Sequence, residues 1–428
     1  MRNALSEPVG RRHVVFLAGY DAMTVADHLR LFRREVARFA NVWSIRAAVA
    51  DTEPGLPPSP ANPNGAAFRY SAGGANWQVD GTYEVLAWDD LARADMTRPL
   101  WSHVAGSVRA VADMAASGTI LRYFTTSLRY GFFFILTYVA LAAFWYAAIR
   151  AGMWATGRLA PVLGGGGAVA AGIVVALLSG FVLMRWPARG GGLKQSLDLA
   201  EFSVDFVRGR HTALDARVKL FARRLREIAA GGPDAPDEVL LVGHSLGASL
   251  LLMAVAQALE EDPGFGTKVP VRILTLGNTL AKFALHPAGT ALRAAADNVA
   301  RAPHIAWLEI QSCDDIVSFY GINPVTLEKG TFTEGDLGVG NFRGRPLLRH
   351  VPVRQMISPA AYWPRKLDVM RIHCQCFLAH DRRARYDLYA FIVGPMPFAV
   401  LMASGEGLMA HLAPDGALAP KALPVSPS

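Results

Sequence analysis

The chain has 428 residues, enough for one large domain with insertions or for two domains. Its apolar content of 52% is high for a soluble protein and points to membrane segments. The net charge of +8 is spread along the chain in short clusters such as Arg382, Arg383 and Arg385, with no basic stripe interleaved with aromatics, so it argues against a nucleic-acid partner and fits attraction to an anionic membrane surface.

Residues 1–12 are polar and read as loose. The apolar run 13–18 is a strand pattern, too short for a signal peptide, and it ends in Gly19, Tyr20 and Asp21. A helix is predicted over 22–42, where Leu29, Phe32, Val36 and Phe39 recur among charges, and a strand over 44–50. The five prolines between 53 and 64 mark a loop. Residues 77–86 read as a strand, or as a hairpin turning at Asp80-Gly81, and another helix starts at Trp88. Alternating strands and helices are what an α/β sheet needs.

The alternation then breaks. The stretch 131–149 carries no charge over nineteen residues, and 161–184 is a second uncharged run. A bilayer core of about 30 Å needs roughly 20 apolar residues in a helix, so two membrane spans joined by a short loop are expected. Trp145, Tyr146 and Trp186 suit the headgroup level, and Gly172, Ala176 and Gly180 would let the two spans pack closely. Arg122, Arg129, Arg185, Arg189 and Lys194 flank the outer ends, against Arg150 and Arg158 in the connection. The positive-inside rule then puts both flanks on the cytoplasmic side. The expected division is 1–122, a membrane hairpin over 123–190, 191–412, and a disordered tail from 413.

An amphipathic helix over 211–230 follows, its Arg217, Arg223 and Arg224 read as a solvated face. Val239 to Val242 form an apolar run without helical spacing, which suits a strand buried on both faces. The run leads through Gly243-His244-Ser245-Leu246-Gly247 into a helical stretch rich in Leu and Ala. A strand turning at once into a helix lifts the central serine above the sheet edge, and the tightness of the turn explains the flanking glycines. The backbone N–H of Leu246 then lies at a helix N-terminus, where it can stabilise an oxyanion. Further strands are expected at 269–276, closed by Gly277 and Asn278, and at 304–311. The apolar segment 386–402, broken by Pro395 and Pro397, reads as a terminal helix packed on the sheet or touching the membrane.

At 239–255 the sequence resembles the α/β-hydrolase superfamily, on its lipase, esterase and thioesterase side. The resemblance implies a mostly parallel sheet wrapped by helices, a triad in the order Ser, acid, His, and no metal or cofactor. It also implies a second oxyanion N–H from the backbone after the first strand, at Tyr20 or Asp21, with Gly19, Asp21 and His244 near the substrate. The turn after the strand at 304–311 offers two acids. Asp followed by Ile-Val resembles the lipase version and favours Asp315, whereas the Asp-x-Ile-Val spacing of other branches favours Asp314. The base must come later in the chain. His373, on a loop before the last helix, resembles the family's histidine region and is preferred over His380, His350 and His411.

Three cysteines, Cys313, Cys374 and Cys376, argue against a disulfide framework, and Cys-x-Cys beside His373 is a poor zinc spacing. The expectation is a membrane-anchored serine hydrolase acting on an acyl ester or thioester, a lipid being favoured. The alternatives are an acyltransferase with the same triad, an inactive scaffold on a hydrolase fold, and a transporter component.

Overall fold

Short apolar runs alternating with amphipathic segments build one sheet in the computed structural model, which describes residues 7–50, 59–188, 192–332, 340–341 and 344–419. The first part of the expected proline-rich loop (53–58), Arg189 of the expected membrane flank and the expected tail beyond 419 lie outside the described residues. The strands are β1 (Arg11–Leu17), β2 (Arg46–Val49), β3 (Ala66–Gly73), β4 (Gln78–Val85), β5 (Glu238–His244), β6 (Val271–Leu276), β7 (Ala306–Gln311), β8 (Thr331–Phe332), β9 (Gly340–Asn341) and β10 (Leu347–His350). Eight of them form a sheet in the order β10-β7-β6-β5-β1-β4-β3-β2, while β8 and β9 pair separately. Pairing is parallel from β10 through to β4, and β3 runs antiparallel to both β4 and β2. The architecture is thus α/β, with a mixed, mostly parallel sheet flanked by helices.

The central strand β5 is buried at every position, as its apolar run Val239–Val242 requires. Val14, Phe16, Leu240, Val242, Leu274 and Leu276 share one face, packed with Phe32 and Val36 of the helix Val25–Trp43 and with Tyr389 and Phe391. The intervening Val15, Leu241 and Ile273 are buried too, so the second face is also covered.

Several expectations are corrected. Asp80-Gly81 is not a hairpin turn: β4 runs straight through it, and the turn lies between β3 and β4. Gly81 is needed there because a Cβ would collide with the Tyr70 ring on the neighbouring strand. The N-terminal segment is not loose up to residue 12. Arg12, the second residue of β1, is fully buried, paired with Glu238 at 2.8 Å and donating to the carbonyls of Ile392, Gly394 and Met396. Arg217 and Arg224 are not merely solvated, since they pair with Asp90 and Glu84, each at 2.8 Å. Residues 413–419 are tied down rather than tail: Trp77 Nε1 donates to the Gly416 carbonyl at 2.9 Å.

The chain divides into two units, Met1–Thr97 with Asp205–Ser428, and Arg98–Val204. The second unit is wider than the expected 123–190 and includes the helices Leu100–Ala116 and Thr119–Thr126. Among the described residues, two separate spans joined by a loop are not found. One helix, Leu128–Leu183, is long and apolar enough to cross a membrane, with mean hydropathy 2.2. The chain stays helical through 150–160, and the backbone leaves helical geometry at Gly164 instead. On either side of that break the helix meets itself through small residues: a Cβ on Gly152 would lie 2.8 Å from Ala176 Cβ, and one on Gly180 would lie 3.7 Å from Ala148 Cβ. Phe132, Leu136, Val139, Ile173, Leu177 and Phe181 of this helix are each more than half exposed.

Candidate active site

Ser245 sits between β5 and the helix Leu246–Glu261, at φ 54° and ψ −123°. Positive φ costs a non-glycine residue free energy, so the surrounding packing must hold it there. It does so through the glycines. A Cβ on Gly247 would collide with the carbonyl oxygens of Leu17 and Ala18, and one on Gly243 would come within 2.6 Å of Ala248 Cα. The chain can turn this sharply only because both positions lack side chains. The Ser245 side chain is partly exposed between buried neighbours. Leu246 supplies the first N–H of the helix, a position with no intrahelical acceptor.

Gly19, at the end of β1, faces this turn: a Cβ there would lie 3.1 Å from Ser245 Cβ. The Asp21 N–H donates back to the Gly19 carbonyl at 3.0 Å, which commits that donor and leaves Tyr20 as the residue beside the turn. The Tyr20 hydroxyl donates to Asp95 and its ring packs near Trp88. Burial pushes the Asp21 carboxyl up to about 6, opposed by the Met23 N–H and reinforced by Asp89 and Asp27. The cavity lined by Gly19, Asp21, His28 and Trp88 measures about 10 Å³, room for roughly one water, so it does not hold an acyl chain.

The two candidate acids separate cleanly. Asp315 Oδ2 lies 2.8 Å from His373 Nδ1, and its Oδ1 accepts from the Val317 N–H at 2.9 Å. Burial by itself would raise the Asp315 pKa, but His373 and the hydrogen bonds from Ser318 and Val317 hold it below the usual carboxylate range. Asp314 accepts from the Val353 N–H at 2.9 Å and from the Tyr362 hydroxyl at 2.8 Å, so it fastens the segment after β10 and does not reach the histidine.

His373 lies inside the short helix Val369–Cys374, not on a loop. Asp368 caps that helix by accepting the Arg371 N–H. The imidazole is buried, and its Nε2 engages no hydrogen-bond partner. The Ser245 hydroxyl therefore makes no hydrogen bond to it, although both groups adjoin the end of β6. Ser245 N–H donates to the Leu276 carbonyl at 3.0 Å, and a Cβ on the next residue, Gly277, would lie 3.1 Å from His373 Cε1. Catalytic hydrogen bonds are often poorly aligned before substrate binds, so the missing bond does not exclude a nucleophile and its base.

His244 packs against the candidate base. It is buried, its Nε2 lies 3.3 Å from the His373 carbonyl, and its ring sits 4.8 Å from the His373 ring. Because the partner is a carbonyl, Nε2 must carry the proton and donate. Burial, with the neighbouring His373, pushes the His244 pKa down to about 3, so the ring stays neutral.

His380 is fully buried near Asp387, His350 packs against Tyr320 and Phe332, and none of them adjoins Ser245 in a bond. Cys376 is buried with its Sγ on the His373 carbonyl, and among the described residues no three His, Cys, Asp or Glu side chains gather as metal ligands.

Two contributors escaped the sequence reading. Gly277, at φ 52°, was legible only as the end of a strand, yet its missing side chain lets His373 and Asp315 close over it. Glu309, on β7, is buried and accepts from Thr275 and Asn278, and burial pushes its pKa up to about 8. A lone Glu in a strand gives no signal of either property.

Comparison with protein-family models, with curated proteins and with solved structures finds no match in any of the three.

Proposed function

We propose that this protein is a membrane-anchored serine hydrolase of the α/β-hydrolase kind, cleaving an ester or thioester through an acyl-enzyme. One observation carries the reading: a buried Asp315–His373 pair adjoins a serine held at positive φ on the N-terminus of a helix. In this mechanism the Ser245 oxygen attacks the acyl carbonyl and its proton passes to His373 Nε2. Asp315 keeps the Nδ1 proton in place and stabilises the imidazolium. The negative oxygen of the tetrahedral intermediate is met by the Leu246 N–H and by backbone near Tyr20. His373 then gives its proton to the leaving group. Water, deprotonated by the same imidazole, releases the acid and restores Ser245.

The anchor is the helix Leu128–Leu183, whose outward-facing apolar side chains would be costly in water. A bilayer-anchored site favours a lipid ester or thioester as substrate.

A fluorophosphonate probe applied to the full chain in detergent tests the reading. Labelling that disappears in Ser245→Ala supports it. An unlabelled intact chain would sink it and leave a scaffold. Product analysis with and without an acceptor alcohol separates hydrolysis from acyl transfer.

A further inference from the structure

Among the described residues of the sheet-containing unit, two large apolar side chains are exposed. Trp363 is 67% exposed and Leu367 is 90% exposed. Both fall on one short stretch, the helix Pro359–Arg365 and the turn leading into the helix Val369–Cys374. That stretch is bound to the candidate site at both ends. Tyr362, beside Trp363, donates to Asp314, and the following helix carries His373. Exposed apolar residues so placed are not explained by packing within the unit.

Along this stretch of chain the charge is one-sided, although Asp381 and Glu35 of other elements also act on Arg365. Between 353 and 372 the chain carries Arg354, Arg365, Lys366 and Arg371, against Asp368 alone. The Asp368 carboxylate is already used, accepting the Arg371 N–H at 3.0 Å. Lys366 Nζ lies 5.1 Å from the Trp363 ring centre, so the ammonium and the indole present themselves together. An indole, a leucine and several cations at one surface match an anionic phospholipid layer. The rings and the leucine enter the headgroup region, and the cations remain at the phosphates.

We infer that the segment Trp363–Leu367 seats on an anionic phospholipid surface, which fixes the helix bearing His373 against the bilayer. The inference rests on the reading that the chain is membrane-anchored, and it needs no assumption about the chemistry at Ser245. A protein partner would be met by a larger uncharged patch, whereas this one is small, rimmed with cations and built around a tryptophan.

The test is amide hydrogen exchange of the full chain in nanodiscs, either of phosphatidylcholine alone or with about a third phosphatidylglycerol. Peptides covering 359–372 are expected to exchange about fivefold more slowly or better in the anionic discs. The Trp363→Ser/Leu367→Ser double variant should lose that difference. Equal exchange in both discs, or protection that the double variant keeps, overturns the inference. Equal protection in lipid-free detergent also overturns it, because protein would then cover the patch. Failure of the chain to enter nanodiscs would refute the anchor separately. Added phosphatidylglycerol vesicles would then test the same peptides directly.

Discussion

Asp315 Oδ2 lies 2.8 Å from His373 Nδ1 across a separation of 58 residues in the chain. Its neighbour Asp314 turns the other way, to the Val353 N–H and the Tyr362 hydroxyl. Two adjacent carboxylates in a turn thus do two different jobs. One orients an imidazole and the other pins the strand-to-helix connection that leads to it.

The division of labour is measurable. Asp315→Asn should lower kcat about 10³- to 10⁴-fold, because the imidazole loses the partner that fixes its tautomer. Asp314→Asn keeps one acceptor and should leave kcat within about tenfold, while costing about 1 kcal/mol of stability. Steady-state kinetics on an ester substrate, paired with thermal melts, distinguishes them. Equal kinetic losses would mean the acid has been misassigned.

Gly277 offers a test of how tightly the imidazole is held. At φ 52° a Cβ is strained, and it would lie 3.1 Å from His373 Cε1 and 3.3 Å from Asp315 Oδ2. Gly277→Ala should reduce kcat about 10- to 100-fold through displacement of the ring. KM should change little, since a Cβ at this position would face His373 and Asp315. Unchanged kcat would show that the ring tolerates the methyl group.

The buried Arg12–Glu238 pair joins β1 and β5 to the C-terminal segment, since Glu238 also accepts from the Phe398 N–H. Arg12→Met leaves a buried carboxylate without its cation and should destabilise the chain by about 3–5 kcal/mol. Adding Glu238→Gln, which removes the charge, should recover part of the loss. Denaturant unfolding of both variants reads this out, and no recovery in the double variant would contradict the electrostatic account.

Glu309 predicts a pH dependence of stability. Its ordinary value of 4.5 rises to about 8 in the folded chain, chiefly by burial. Between those values the folded state keeps the proton and the unfolded state releases it. The stability it contributes is therefore complete below about pH 4.5 and is lost as pH rises toward about 8. His244 and His380 shift the opposite way, to about 3, and act only below about pH 6.5. Between about pH 6.5 and 8.5 Asp387 and Lys282, each shifted to about 7 by burial, contribute as well, so melting over that range is compared between the parent chain and a Glu309 variant. Glu309→Gln, which mimics the protonated acid, should remove about 1–3 kcal/mol of the alkaline decline. An unchanged decline would place the proton elsewhere.

The strands β1, β5, β6 and β7 were legible because each is an apolar run bounded by glycine or charge. The serine turn was legible because its glycines have one physical reason to be there. The hairpin of β3 and β4 was missed because Gly81 signals a close approach to Tyr70 as readily as a turn, and spacing does not separate the two. The end of the first apolar run, expected at 149, was misplaced for a related reason. Arg150 and Arg158 interrupt the hydropathy but not the helix, which breaks only at Gly164.

The sequence by itself determined the local parts: a buried strand, a sharp turn, a serine at its apex and a helix behind it. Those depend on residues within a few positions of one another, where sterics and periodicity decide. Only the tertiary structure decided which aspartate meets which histidine, and that His244 supports His373 from beneath. Those pairings join residues far apart in the chain, and they follow from the sheet order that brings the ends of β5, β6 and β7 to one edge.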